Sequence, residues 1–164
     1  MKRRDAATFM KVRILAIGSR MPAWVEEGCK EYRKRIPPPY TPELKELNAA
    51  RRSSGKSVPQ TIADEDERML TAIRPAERVI ALDQGGTAWS TEQLASAWSD
   101  WQQHGDDVCL LIGGPDGLGA KSLQRANQRW SLSALTLPHP LVRVLLFEQL
   151  YRAWTIQQGH PYHK

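Results

Sequence analysis

The chain of 164 residues has only two cysteines, Cys29 and Cys109, which lie far apart in segments predicted to be regular secondary structure. So few cysteines exclude a disulfide scaffold, and we expect buried free thiols in a reducing cytosol. No stretch approaches the roughly 18 apolar residues that a membrane span needs. The basic start MKRRDAATFM has no apolar segment behind it, so we expect no signal peptide and a cytoplasmic protein.

A phosphate-binding P-loop is also missing. Gly55-Lys56-Ser57 resembles the end of a Walker A motif, but Ala50 stands where that motif needs its first glycine. No buried strand leads directly into the segment, and Pro59 stands where the following helix should begin. We therefore exclude a P-loop NTPase and expect residues 49–60 to form a mobile basic loop that could touch a phosphate backbone.

The overall composition is that of an ordinary globular protein, with 41% hydrophobic and 25% charged residues. A net charge of +5 and a pI of about 9.4 favour an anionic partner, with nucleic acid ahead of a membrane surface. The core pattern begins only at Lys11. We expect residues 1–9 to be a disordered N-terminal extension, or to lie upstream of a functional start at Met10, and residues 10–164 to form a single domain.

Apolar periodicity alternates between strand-like and helix-like segments along the whole chain. The predicted strands are 12–17, 41–47, 78–83, 108–112 and 132–137. The predicted helices are 22–36, 61–73, 90–105, 121–128 and 141–157. This order predicts an α/β fold, with a mostly parallel sheet and helices on both faces.

Within these elements, two helices carry specific sequence signals. Helix 22–36 should bury a stripe that includes Trp24, and helix 61–73 should begin with Thr61 as its N-cap. Ser90 and Gln93 should form a capping box at the start of the next helix.

The segment from residue 130 to residue 151 organises the C-terminal part. Pro138 and Pro140 should end the fifth strand and open the last helix, with His139 held extended between them. That helix is apolar nearly all round, which predicts burial in a core or, more simply in so short a chain, a dimer interface. Of its charged residues, Glu148 and Arg152 could pair at i,i+4 spacing. Arg143 could equally form a structural ion pair or reach a ligand at the turn.

Three loops follow strands three, four and five, at residues 82–87, 113–119 and 132–140. Ligands bind at the carboxyl ends of strands in such sheets, so we expect these loops to share one edge. The glycines of the second loop lack the G-x-G-x-x-G spacing, which argues against a pyrophosphate cradle and hence against NAD or FAD. The pocket would instead suit an adenine and ribose without phosphates. The alternative is three tight turns with no ligand.

The C-terminal tail, GHPYHK, carries two of the chain's four histidines and a tyrosine. His160 and His163 have a metal-ligand spacing, but no third ligand lies nearby in sequence, so we expect no metal site. A tail that folds over the active edge and supplies polar groups there fits this composition better.

Six short segments together carry a resemblance to a known family: AIG at 16–18, MPAW at 21–24, LIGGPDG at 111–117, SLSALTLPHPLVR at 131–143, LYRAW at 150–154 and HPYH at 160–163. They resemble the ribosomal large-subunit methyltransferase H family, a group of bacterial SPOUT-class enzymes. The resemblance runs from about Lys11 to Lys164, and we expect no appended RNA-binding module.

The resemblance implies a SPOUT-type α/β fold whose C-terminal part forms a deep trefoil knot, in a homodimer that binds S-adenosylmethionine in the knot loops. It also implies methylation of N3 of pseudouridine 1915 in a 23S rRNA hairpin, on the assembled 70S ribosome. RNA affinity would then come from the basic surface of the dimer. Carried onto this chain, the donor contacts are Leu82, Gly113, Leu132, Ser133, Ala134, Leu135, Thr136 and Leu137.

The N3 proton of pseudouridine is weakly acidic, so a base or an anion-stabilising group must act during transfer. Arg143 or Arg152 would stabilise the developing anion, and a tail histidine or tyrosine would take the proton or hold the base. The candidate catalytic residues are His139, Arg143, Arg152, Tyr162 and His163. A catalytically silent RNA- or ribosome-binding dimer of the same fold is the alternative, and a nucleotide-binding Rossmann domain is a more distant one.

Overall fold

The structure is a computed structural model that describes residues 9–52 and 55–163. Five strands alternate with five helices. The strands are β1 (Val12–Ile17), β2 (Glu43–Leu47), β3 (Arg78–Ala88), β4 (Val108–Ile112) and β5 (Gln128–Ser131). The helices are α1 (Ala23–Arg33), α2 (Val58–Ala72), α3 (Thr91–His104), α4 (Ala120–Arg125) and α5 (His139–Gln157). The expected N-terminal extension lies outside the described residues, apart from Phe9, whose ring packs edge-on against Tyr40.

The five strands form one sheet in the order β2-β1-β4-β3-β5, and every neighbouring pair is parallel. β1 and β4 are buried along their whole length, as expected for apolar strands covered on both faces. α1, α3 and α5 cover one face, where Trp98 and Phe147 are buried. α2 and α4 lie on the other face, over Leu15 and Leu111. The predicted α/β architecture is therefore confirmed, whereas the knot stays a prediction.

The start of α3 and the state of the cysteines also agree with the sequence. The Ser90 side chain accepts a hydrogen bond from the backbone of Gln93, whose side chain accepts one from Ser90 in return. Cys29 and Cys109 are both free and buried. Burial raises the pKa of the Cys29 thiol to about 11, so this thiol is protonated at neutral pH.

α2 begins three residues earlier than the sequence indicated, so the predicted N-cap at Thr61 is wrong. Ser57 is the N-cap, and it forms a capping box with Gln60. Pro59 lies in the first turn, where a missing N–H costs nothing. Pro59 is thus no argument against a P-loop, but Ala50 still occupies the glycine position and β2 ends well before the helix.

The fifth strand was placed too late in the chain. β5 is the polar segment Gln128–Ser131, whereas residues 132–138 form a turn. Ser131 Oγ donates to the carbonyl of Ser133 at 3.0 Å, and the Leu135 N–H donates to Ser133 Oγ at 2.9 Å. These local bonds replace a strand ladder. An apolar run such as residues 132–137 predicts a buried strand when only the sequence is known. Here part of the apolar surface of this run lines a cavity instead.

α5 packs against α1 and α3 within the chain, so much of its apolar surface is covered without a second chain. Its approach to α1 is close, because a Cβ at Gly28 would lie 3.1 Å from Val144 Cγ1. Trp24, predicted in the buried stripe of α1, is instead 56% exposed, which corrects that expectation. Among the described residues, no helix combines the length and the apolarity needed to cross a membrane.

Candidate active site

A cavity of about 610 Å³, including its open mouth, lies between the carboxyl ends of β4 and β5 and an irregular part of β3. β3 continues to Ala88, so the end of this strand predicted at residue 83 is wrong. Its pairing with β5 is interrupted between Leu82 and Thr87, and we call residues 83–86 the β3 bulge. The parallel pairing of β3 with β4 and with β5 brings this bulge and the loops after β4 and β5 to one edge. This volume includes solvent space at the mouth, so the enclosed part of the cavity is smaller. Its lining residues are Leu82, Asp83, Gln84, Ile112, Gly113, Gly114, Gly117, Trp130, Ser131, Leu132, Ser133, Leu135, Thr136, Leu137, His139 and Val142.

The structure brings together most of the residues that the sequence assigned to a donor site. Seven of the eight line the cavity: Leu82, Gly113, Leu132, Ser133, Leu135, Thr136 and Leu137. Ala134 is exposed and is not among the lining residues. Sequence reasoning missed three lining residues, Asp83, Trp130 and Val142. Each lies at or near an end of a predicted strand or at the start of the predicted last helix, and this position could have marked it as a candidate.

The loop after β4 approaches its own backbone so closely that glycine is required at Gly113. A Cβ there would lie 2.5 Å from the carbonyl carbon of Gly117 and 2.7 Å from the backbone nitrogen of Leu118. The Gly117 N–H donates to the carbonyl of Gly114 at 2.9 Å, and Gly117 has a positive φ of 81°. The tight turn leaves backbone of this loop on the cavity wall.

Two buried carboxylates on α2 hold the neighbouring loops, and sequence analysis had given neither this role. Asp66 accepts hydrogen bonds from the backbone N–H groups of Gly119 at 3.0 Å and Lys121 at 3.1 Å, and also from the Ser122 hydroxyl. Glu65 accepts one from the Ala50 N–H at 3.1 Å. α2 therefore anchors both the loop after β4 and the loop after β2.

Side chains tie the β3 bulge to β5 and to the segment that follows β5. Gln84 Nε2 donates to Thr136 Oγ1 at 2.9 Å. Arg129 Nε donates to Asp83 Oδ2 at 3.0 Å, so the carboxylate on the cavity wall already has a cationic partner. Apart from His139, the lining residues include no basic side chain. The cavity is therefore poorly suited to a pyrophosphate and well suited to a neutral or cationic ligand.

α5 begins at His139, two residues earlier than predicted, so His139 is helical and the expected extended conformation is wrong; the extended residue is Pro138, the N-cap. His139 lies on the wall of this cavity and of a second one beside it. Its ring is partly buried, and Nδ1 has no hydrogen-bond partner within the described chain. Burial lowers the pKa of His139 below its ordinary value, and the charges of Arg143 and Arg52 lower it further. The imidazole is consequently neutral at pH 7, with a nitrogen able to accept a proton.

Arg143 is only 1% exposed and lies behind the cavity rather than on its wall. Its guanidinium donates to Glu46 Oε2 at 2.6 Å, to the carbonyl of Gly18 at 2.8 Å and to that of Ile17 at 3.2 Å. Of the two interpretations that the sequence left open, this geometry agrees with the structural ion pair. Arg143 fastens the end of β1 and β2 to the start of α5.

The other candidate catalytic residues form a cluster at the far end of α5. Arg152 pairs with Glu148 as the spacing indicated, and the Tyr162 hydroxyl donates to the same carboxylate at 3.3 Å. The His163 ring lies 3.2 Å from Arg152 Nη1 through Nδ1 and 3.0 Å from Glu92 through Nε2. Within this chain the tail thus folds back onto α5 and α3, and its described side chains are not among the cavity's lining residues.

No group of three or more potential metal ligands occurs among residues 9–52 and 55–163. His160 is exposed, and its Nδ1 accepts a hydrogen bond from the Tyr162 N–H at 3.2 Å.

Comparison with known proteins decides the family. A sequence profile described as a predicted SPOUT methyltransferase matches residues 10–163. The chain belongs to the SPOUT methyltransferase family. It is similar to the ribosomal RNA large subunit methyltransferase H of Saccharophagus degradans, with 57% identity over 94% of this chain and 100% of the relative. The protein of the same name from Chromohalobacter salexigens is 55% identical over the same shares. The chain is accordingly a methyltransferase.

Solved structures agree at the level of the fold. A probable methyltransferase from Bordetella pertussis superposes with a TM-score of 0.59 at 15% identity, covering 89% of this chain and 95% of that one. A probable methylase family protein from Haemophilus influenzae gives 0.57 at 13% identity, over 94% and 71%. The SPOUT methyltransferase fold therefore extends over nearly the whole chain.

We expect Asp66→Asn to loosen the loop after β4, because one carboxylate oxygen becomes an amide NH₂ facing backbone donors. The free energy of unfolding should fall by about 1–3 kcal/mol. Hydrogen exchange of residues 113–122, followed by mass spectrometry, should become faster than in the parent protein. The matched control is Asp64→Asn. Asp64 lies on the same helix as Asp66, and this substitution removes its ion pair with Lys56. Equal protection of residues 113–122 in the two variants would contradict the assigned role of Asp66.

Proposed function

We propose that this protein is a cytoplasmic homodimer that transfers a methyl group from S-adenosylmethionine to N3 of pseudouridine 1915 in a 23S rRNA hairpin, on the assembled 70S ribosome. The observation that carries the proposal is the cavity between the β3 bulge and the ends of β4 and β5, in a chain that matches its rRNA-methylating relatives over their full length. The relatives' names supply the substrate class, and the cavity supplies a place for the donor.

The cavity fits this donor in three respects. Its wall combines the apolar Leu82, Leu132 and Leu137 with the backbone of the glycine loop, which suits an adenosine. The absence of basic side chains other than His139 on the wall suits a nucleoside without phosphates. The carboxylate of Asp83 on the wall is paired with Arg129, so no unopposed guanidinium of the described chain faces a cationic ligand there. When bound, S-adenosylmethionine would supply a methyl group attached to a positively charged sulfur.

The chain's own residues must then manage the proton on N3 of the acceptor. His139 is neutral and lies on the cavity wall, so we propose it as a group that accepts or holds this proton. Arg143 acts in the proposal as a positioning residue, because its bonds to the carbonyls of Ile17 and Gly18 fix the backbone beside His139. Its guanidinium is too buried to meet a base directly.

Arg152, Tyr162 and His163 are proposed to stabilise the anion at N3 and to complete the proton path. Since they lie away from the cavity of their own chain, the proposal requires that they act at the cavity of the partner in a homodimer. Two exposed apolar side chains are consistent with a covered surface, namely Trp24 at 56% and Leu135, on the cavity wall, at 72% exposure.

We expect Gly113→Ala to weaken binding of S-adenosylmethionine, because its Cβ would collide with the backbone of Gly117 and displace the wall of the cavity. Calorimetry should show affinity reduced by about tenfold or more, since overpacking against backbone costs about 1–3 kcal/mol. The matched control is Gly85→Ala, where the added Cβ would meet only the ends of the Asp83 and Arg129 side chains. If the parent protein fails to bind the donor, it is a silent RNA-binding homologue and the proposal is wrong.

We expect deletion of residues 160–164 to abolish methyl transfer while leaving donor affinity nearly unchanged, because residues 160–163, the part of this segment that the structure describes, include no lining residue. Transfer to 70S ribosomes from a strain without the activity is the readout, and calorimetry with the donor is the control. Mixing the deleted chain with Gly113→Ala chains should restore part of the transfer, since a mixed dimer holds one intact cavity and one intact tail from opposite chains. Full activity of the deleted chain alone would remove the tail from the mechanism.

A further inference from the structure

A second cavity adjoins the donor cavity, and His139 lies on the wall of both. It is an open cleft of about 1320 Å³ at the carboxyl ends of β1 and β2. We call it the arginine cleft. Its lining residues are Ile17, Gly18, Ser19, Arg20, Met21, Asn48, Ala49, Arg51, Arg52, Arg68, Pro115 and His139.

The charge of the arginine cleft is of one sign. Four of its lining residues are arginines and none is acidic. Arg20 and Arg51 are exposed, and neither forms an ion pair with an acidic residue of the described chain. Arg52 pairs with Asp116 at 2.7 Å, and Arg68 donates to the carbonyl of Asn48 at 2.7 Å. Unpaired guanidinium groups gathered in a concave surface attract anions, and phosphates above all.

The cleft is held in a defined position relative to the donor cavity. Glu65 on α2 binds the Ala50 N–H beside the arginines, and Arg52 bridges to Asp116, which lies in the loop after β4 that walls the donor cavity. Arg143 joins the carbonyls of Ile17 and Gly18, on the cleft wall, to α5. An anion in the cleft would therefore lie at a fixed distance from a molecule in the donor cavity.

We propose that the arginine cleft holds the sugar–phosphate backbone of the RNA strand next to the acceptor nucleotide. This inference rests on the proposed function and names the surface through which its RNA is held. The donor lies on one side of His139 and the RNA backbone on the other, so a base turned toward His139 meets the methyl group. Phosphate contacts of this kind position a nucleic acid without reading its sequence.

The test removes the two exposed, unpaired arginines and leaves the paired ones in place. Arg20→Gln, Arg51→Gln and the double variant are compared with Arg74→Gln, an exposed arginine between α2 and β3, at the amino ends of the strands. Three quantities are measured for each: donor affinity by calorimetry, affinity for 70S ribosomes by sedimentation at several salt concentrations, and KM and kcat for methyl transfer.

We expect donor affinity and kcat to be unchanged in all four variants. Ribosome affinity should fall and KM rise in the cleft variants, and the slope of log affinity against log salt should become shallower by about one for each arginine removed. Arg74→Gln should behave like the parent protein. Polyglutamate added as a competitor should displace the ribosome from the parent protein less effectively than RNA does, because the cleft is assigned to an RNA backbone rather than to an acidic protein.

The inference is overturned if the cleft variants have the same ribosome affinity and salt slope as Arg74→Gln. It is also overturned if polyglutamate competes for ribosome binding as strongly as RNA does. The outcome can be separated from the fate of the proposed function. If the parent protein binds ribosomes through the arginines but transfers no methyl group, the cleft stands and the proposed reaction is wrong. If it transfers methyl groups without any contribution of the arginines, the reaction stands and the cleft is wrong.

Discussion

The parallel pairing of β3 with both β4 and β5 is the constraint on which the site depends. Ala81 pairs with Leu111 and Arg129, so the β3 bulge that follows lies beside the carboxyl ends of β4 and β5, and the loops after those two strands share its edge. β4 is buried along its whole length, which holds the register firmly because a slip would expose apolar side chains. The cavity wall is therefore set by the sheet, while Asp66 of α2 and the Gln84–Thr136 bond fix the loops themselves.

Much of this arrangement could be predicted from the sequence because it is recorded in local patterns. Apolar runs gave the strands near 12–17 and 108–112, Ser90 and Gln93 gave a helix start, and the alternation of elements gave a parallel sheet whose loops meet. Two predictions were wrong because the apolar residues concerned are not buried in the core. Residues 132–137 were assigned to a strand although they line a cavity, and Trp24 was assigned to the core although it is exposed.

What the sequence could not supply were the contacts between segments far apart in the chain. Nothing local indicates that Arg143 meets Glu46, or that Asp66 meets Gly119. The same holds for the arginine cleft, because its residues come from the ends of two strands and from α2. Two cavities share His139, one lined mainly by apolar residues and the other by four arginines. In our proposal the first holds the nucleoside donor and the second holds the RNA backbone.

The most direct test of this account uses S-adenosylmethionine carrying a deuterated methyl group. The purified protein is incubated with this donor and with 70S ribosomes from a strain that lacks the activity, and the 23S rRNA is then digested and analysed by mass spectrometry. The account predicts a labelled methyl group on N3 of the pseudouridine in the 1915 hairpin. An unlabelled hairpin from a protein that binds both donor and ribosome would contradict it.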